Sequence, residues 1–324
     1  MLVLWIVLGT VLCIPLLAVV LSHVIWHRSF MASFVEFYIK HQDGVGYAGG
    51  EETARRKIEA NDGLRYDFPK GYTVKAPLRE STESGIRTYW VNEHEGSEYL
   101  IFYLAGGAFL HGPKTFHWRF IDEVCRSTGA TAAVPIYDRL PDRTCTDIFP
   151  AMTDLYRSLA GAKDWKKVIL MGDSAGGNIV FVIAEELLKG GFKQPDEIVS
   201  ISPPAGYPYA GHEDEFAQYE RTCVFLSIGG VNLLADRWAG DAGLDDYRVS
   251  PYFGEVRGMG RVTIIAGDRE LLYPSGRAMH RKLLENGVES EFVSGRGMMH
   301  DYPVLPMPEA KKARRQISDI VTRP

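Results

Sequence analysis

From residue 85 onward the chain alternates short apolar runs of β type with stretches of helical composition, and this limits the possible fold more than any other feature. The runs fall at 85–91 (GIRTYWV), 98–104 (EYLIFYL), 131–137 (TAAVPIY), 167–171 (KVILM), 197–201 (EIVSI), 261–266 (RVTIIA) and 289–293 (ESEFV). Helical stretches lie between them at 116–126, 148–162, 178–189 and 275–286. Short hydrophobic strands separated by helices predict an α/β fold: a mostly parallel central sheet flanked by helices on both faces. No repeat, low-complexity tract or Pro/Gly/Ser linker divides the chain, so residues 27–324 read as one domain. The interval 205–250, rich in Tyr, Gly, Asp and Trp, breaks the rhythm between two strands. It reads as a lid above the sheet, to which residues 30–75 could add. Residues 51–59 (EETARRKIE) have acids first and bases later, as a helix dipole favours.

Composition excludes several function classes. The 324 residues carry 36 Lys+Arg against 41 Asp+Glu, a net charge of −5, so the basic footprint of nucleic-acid binding is missing. Cys13, Cys125, Cys145 and Cys223 are too scattered for a disulfide framework or a CxxC zinc site, and buried free thiols are expected. Residues 1–22 contain no charged side chain and as a helix would span about 33 Å, close to the thickness of a bilayer's hydrocarbon core. No Lys or Arg precedes this run, unlike in a cleaved signal peptide, and Trp5 and Trp26 sit near its ends. Residues 1–26 are therefore expected to form an uncleaved single-pass membrane anchor, with the side occupied by the body left open.

The chemistry concentrates at 172–177, Gly-Asp-Ser-Ala-Gly-Gly, which follows the run KVILM and precedes the helical run NIVFVIAEELL. A serine at a strand-to-helix turn is forced into a tight backbone, and its neighbours must be small. The following helix then directs its amino end at the reacting centre, where negative charge develops. Ser174 is the expected nucleophile; an N-capping serine in a plain loop is the competing reading. Upstream, residues 104–109 (LAGGAF) end another strand in small residues, and acyl transfer needs main-chain N–H donors about 3 Å from the oxyanion.

At this point the sequence resembles the hormone-sensitive-lipase branch of the α/β hydrolases. LAGGAF, YDRLPD at 137–142, GDSAGGN at 172–178, SPYFGEVRGMG at 250–260 and the closing GRGMMHDY follow that family's order over about residues 85–310. The resemblance implies the α/β-hydrolase fold with a helical lid, and a serine esterase acting on short or medium acyl esters. The family's loop reads His-Gly-Gly-Gly-Phe; here its His is Ala105 and its third Gly is Ala108. Main-chain donors survive such changes, so Gly107, Ala108 and Ala175 are the expected oxyanion donors, with Gly106 shaping the loop.

The hydrolase order of serine, acid and histidine places the base near the carboxyl end, where His300 follows the last strand. His280 lies in a basic helical stretch, and His111, just past the glycine loop, could touch a substrate. Laid against the family, the segment after RVTIIA puts Glu270 on the acid position, with Asp268 the alternative; either could instead pair with Arg269 or Arg139 at the surface. No HExxH, Cys/His cluster or GxxxxGK[ST] is present, so no metal or organic cofactor is implied. Tyr207, Tyr209, Phe216, Tyr219, Trp238 and Tyr247 would suit either an apolar substrate pocket or packing within the lid. Two other classes remain open: an amide or lactone hydrolase or an acyltransferase using the same triad, and a non-catalytic binding module of the same fold tethered to a membrane.

Overall fold

The computed structural model describes residues 19–24, 27–42, 46–206 and 213–324. Its strands are β1 (Leu78–Glu83), β2 (Ile86–Val91), β3 (Tyr99–Leu104), β4 (Thr131–Pro135), β5 (Lys167–Asp173), β6 (Glu197–Ile201), β7 (Arg261–Gly267) and β8 (Ser290–Gly295). They form a sheet in the order β1-β2-β4-β3-β5-β6-β7-β8. Strand β2 is antiparallel to β1 and β4, and the remaining neighbours are parallel. All seven expected runs are strands.

The helices are α1 (Phe30–Lys40), α2 (Gly50–Ala60), α3 (Thr115–Thr128), α4 (Cys145–Ala160), α5 (Ala175–Lys189), α6 (Glu213–Glu220), α7 (Ile228–Ala239), α8 (Tyr273–Glu285) and α9 (Pro308–Thr322). Successive side chains of a strand face opposite sides, and β3 shows how this builds two cores. Leu100, Phe102 and Leu104 join Phe149 of α4, Phe181 of α5 and Trp238 of α7. Ile101 and Tyr103 join Trp118 of α3 and Ile317 of α9 on the other face. Strand β5 is buried along its whole length, so its KVILM run needs no alternation. Cys125, Cys145 and Cys223 are buried free thiols.

Strand β1 has no apolar signal. Its sequence LRESTE is largely exposed and pairs only with β2. The Arg79–Glu93 and Arg87–Glu80 pairs at this edge, each 2.6 Å, are solvent-exposed and contribute at most about 1 kcal/mol apiece. Charged side chains there oppose pairing with another sheet.

Between β6 and β7 lie α6 and α7, and α2 packs against α7. Ser227 Oγ donates to Tyr47 O at 2.8 Å, joining the residue before α7 to the turn before α2. Tyr207 and Tyr209 lie outside the described residues.

The membrane anchor expected at residues 1–26 is corrected. Among the described residues no helix is long and apolar enough to cross a membrane. Residues 19–24 are helical. Arg28 N donates to Ser22 O at 3.1 Å, and Arg28 is buried in the body. Residues 1–18 and 25–26, with Trp5, Cys13 and Trp26, lie outside the described residues.

Candidate active site

The parallel strands end level with one another: Leu104 of β3 pairs with Gly172 of β5, Asp173 with Ile201 of β6, and Gly267 of β7 with Gly295 of β8. Every expected site residue leaves the sheet at this carboxyl edge, where open α/β sheets bind ligands.

Ser174 sits between β5 and α5 with φ 49° and ψ −120°, a backbone that L residues seldom adopt. Its N–H donates to Ile201 O at 2.8 Å, and its carbonyl accepts from Asn178 N at 3.0 Å. Small neighbours are required here. A Cβ on Gly176 would lie 1.9 Å from Leu104 O, and one on Gly106 would lie 2.6 Å from Asp173 Oδ2 and 2.9 Å from Ser174 Cβ. The Ser174 hydroxyl makes no capping bond to α5. It lies 3.0 Å from His300 Nε2 instead.

His300 Nδ1 in turn lies 2.6 Å from Glu270 Oε2. Glu270 is fully buried and its Oε1 also accepts from Gly267 N at 3.2 Å. Two donors thus orient the carboxylate, and it fixes the ring edge that meets it. Asp268 does not join this chain: its Oδ1 accepts from Gly297 N at 2.7 Å, tying the turn after β7 to the turn after β8. Burial works against a charged His300 ring, but the carboxylates of Asp301 and Glu270 outweigh it and raise its pKa to about 9.

The glycine loop is held by groups that the missing family histidine does not supply. Tyr137 Oη donates to Ala105 O at 2.9 Å. Asn61 Nδ2 donates to Leu110 O at 2.8 Å, and Arg139 Nε to the same carbonyl at 3.2 Å. Ala108 and Phe109 have φ of 57° and 58°, and the Phe109 ring stacks 4.5 Å from buried Trp238 of α7. Neither Gly107 N nor Ala108 N donates to a main-chain carbonyl among the described residues. Ala175 is the first residue of α5, and a Cβ on Gly106 would lie 2.9 Å from Ser174 Cβ, so the loop approaches the Ser174 turn at Gly106.

Beneath the loop is a buried anion that sequence reasoning missed. Asp173 accepts from Tyr103 Oη at 2.5 Å and contacts His117 Nε2 at 3.0 Å. His117 Nδ1 accepts from Lys114 N, which leaves Nε2 to carry the proton. Burial alone would raise the Asp173 pKa; His117, Tyr103 and the Gly106 N–H outweigh it and hold the carboxyl below its usual range. The signal available in the sequence was the acid beside Ser174. No spacing marked His117 as its partner.

His111 closes the turn, its N–H donating to Gly107 O at 2.9 Å. Burial, then Lys114, Lys57 and Arg139, push its ring down to about 4. His280 pairs with Ser290 Oγ on β8, and among the described residues it does not bond to Ser174, Glu270 or His300. The lid aromatics that are described are engaged in packing. Phe216 and Trp238 are buried, Tyr219 stacks on Tyr273, and Tyr247 bonds to Glu186. Phe225, 5.8 Å from the His300 ring, is an aromatic neighbour that was not anticipated. The amino-terminal segment braces both turns. Arg28 pairs with Glu36 and donates to Gly297 O, while Glu36 pairs with Arg269 at 3.2 Å.

A family model for the α/β hydrolase fold matches residues 101–304, and the chain belongs to that family. Within it the chain falls in the hormone-sensitive-lipase-like branch. A triacylglycerol lipase of Mycobacterium tuberculosis is 27% identical over 213 residues, 65% of this chain and 44% of the lipase. An esterase of Acinetobacter venetianus is 25% identical over 262 residues, covering 79% of this chain and 84% of the esterase. A candidate esterase of Staphylococcus aureus, 26% identical, superposes with a TM-score of 0.76 over 85% of this chain and 92% of that one. The chain thus spans under half of the lipase and most of both esterases.

Proposed function

We propose that this protein, a carboxylic-ester hydrolase, cleaves esters of short or medium acyl chains through an acyl-enzyme on Ser174. The observation that supports this most is the His300 ring, bridging Ser174 Oγ at 3.0 Å and Glu270 Oε2 at 2.6 Å. Nε2 takes the hydroxyl proton as Oγ attacks the ester carbonyl. The main-chain N–H groups of Gly107, Ala108 and Ala175 stabilise the oxyanion, with Gly106 setting the approach of the loop. Glu270 holds the ring tautomer and stabilises the imidazolium. His300 then protonates the leaving alcohol, and water repeats the sequence on the acyl-enzyme. Residues 205–250, together with 30–75, act as the lid over this edge. No step calls for a metal or organic cofactor.

A panel of p-nitrophenyl esters of rising acyl length tests this reading. Turnover highest at short or medium chains and lost in Ser174→Ala supports it. Equal turnover by the Ser174→Ala protein contradicts it.

A further inference from the structure

His300 Nε2 has a second acidic neighbour. Asp301 Oδ2 lies 3.2 Å from it, nearly as close as Ser174 Oγ at 3.0 Å. We propose that Asp301 is a positioning residue that shares the Nε2 proton of His300 with Ser174, and so sets the pH at which the histidine becomes a base. This inference rests on the serine-hydrolase reading only for its effect on turnover.

The backbone supports a specific role. Asp301 has φ 54°, a left-handed conformation that is uncommon outside glycine, though Asn and Asp tolerate it. Its N–H donates to Ser202 Oγ at 3.1 Å, anchoring the turn to the end of β6. This conformation brings the carboxylate beside the ring.

Two other carboxylates at the sheet edge have both oxygens engaged. Asp173, at the end of β5, is held by Tyr103, His117 and Gly106. Glu270, after β7, accepts from Gly267 and faces Nδ1. Among the described residues only Ser202 and His300 stabilise the Asp301 charge, and its buried Oδ1 has no hydrogen-bond partner among them. Burial, with the charges of Asp173 and Glu270, raises the Asp301 pKa well above the usual carboxylate range, while His300 acts to lower it. Tyr103 of β3 also faces it.

Asp301 and His300 therefore titrate as a unit, with one proton held between Oδ2 and Nε2 at rest. An ionised carboxylate facing the bare Nε2 lone pair would be repelled, so the proton lies on one atom or the other. Nε2 can accept the Ser174 proton only after this shared proton has left to solvent. In the next step Oγ bonds to the carbonyl carbon, the carbonyl π pair moves to oxygen, and the Ser174 proton lands on Nε2. That proton then moves to the leaving alkoxide as the C–O bond breaks.

The test is a ¹⁵N imidazole NMR titration of the full chain, with the His300 signal assigned by its loss in His300→Gln. Asp301→Asn should lower the His300 midpoint by about 1–3 pH units, the range for losing one close opposite charge. Asp301→Glu should restore part of that shift. Asp301→Gly, which suits the positive φ, serves if the Asn protein does not fold. An unchanged midpoint in a folded Asn or Gly variant overturns the proposal. The acid limb of kcat/KM should move with the NMR midpoint, whereas a purely structural role would lower turnover at all pH without moving it. Absence of fluorophosphonate labelling at Ser174 would defeat the hydrolase reading, and the NMR midpoint would still decide the role of Asp301.

Discussion

Replacing Glu270 by Gln should nearly abolish turnover, whereas replacing Asp268 by Asn should not. The Glu270 carboxylate faces two donors, Gly267 N–H through Oε1 and His300 Nδ1 through Oε2. A glutamine has one acceptor oxygen and one NH2, so it can serve only one of them. If its oxygen stays with Gly267, the amide NH2 faces Nδ1 and forces the proton onto Nε2, which then cannot accept from Ser174. Disabling a triad acid in this way lowers kcat by about 10⁴, or about 5.4 kcal/mol in the barrier. Asp268→Asn keeps an acceptor oxygen for Gly297 N at 2.7 Å, so its loss should stay within about 1 kcal/mol, under tenfold. Steady-state hydrolysis of a p-nitrophenyl ester by both folded variants measures this directly. Loss of turnover in Asp268→Asn with retention in Glu270→Gln would refute the assignment.

Three further substitutions probe the supports of the site. Gly106→Ala places a Cβ 2.6 Å from Asp173 Oδ2, and displacing the loop should lower kcat by about 10²-fold or more; near-normal kcat would mean the donors lie elsewhere. Trp238→Ala removes a fully buried ring stacked on Phe109 and should cost about 3–5 kcal/mol, read as a lower urea midpoint; a midpoint matching wild type would show that the cavity refills. Glu36→Ala strips Arg28 and Arg269 of a largely buried partner. A loss of about 1–3 kcal/mol is expected, with slower turnover as both turns loosen, and unaltered kinetics would remove the bracing role.

The seven runs and the Ser174 turn were legible because their signals are local: the central parallel strands are buried and apolar throughout, antiparallel β2 and edge strand β8 carry shorter apolar stretches, and the elbow must be small on both sides. Chain order alone singled out His300 as the candidate base, and its ring lies within hydrogen-bond distance of Ser174 and Glu270. Strand β1 was not legible, because LRESTE is an exposed edge held by a ladder rather than a core face. The choice between Glu270 and Asp268 needed geometry, since both lie in one turn and only their side-chain directions differ. The supports of the glycine loop were hidden for the same reason. Tyr137, Asn61 and Trp238 come from three separate elements, and nothing in their spacing ties them to residues 105–110. The expected membrane anchor shows the opposite limit: an uncharged run matches a bilayer in length, but no helix among the described residues has the length and apolarity to span one.

A single measurement bears most directly on the mechanism: mass spectrometry of the protein after reaction with a fluorophosphonate. One adduct per chain, mapped to the peptide containing Ser174 and absent in both Ser174→Ala and His300→Gln, is the result expected. Folded wild-type protein that takes up no label, or takes it up at another serine, would contradict the account.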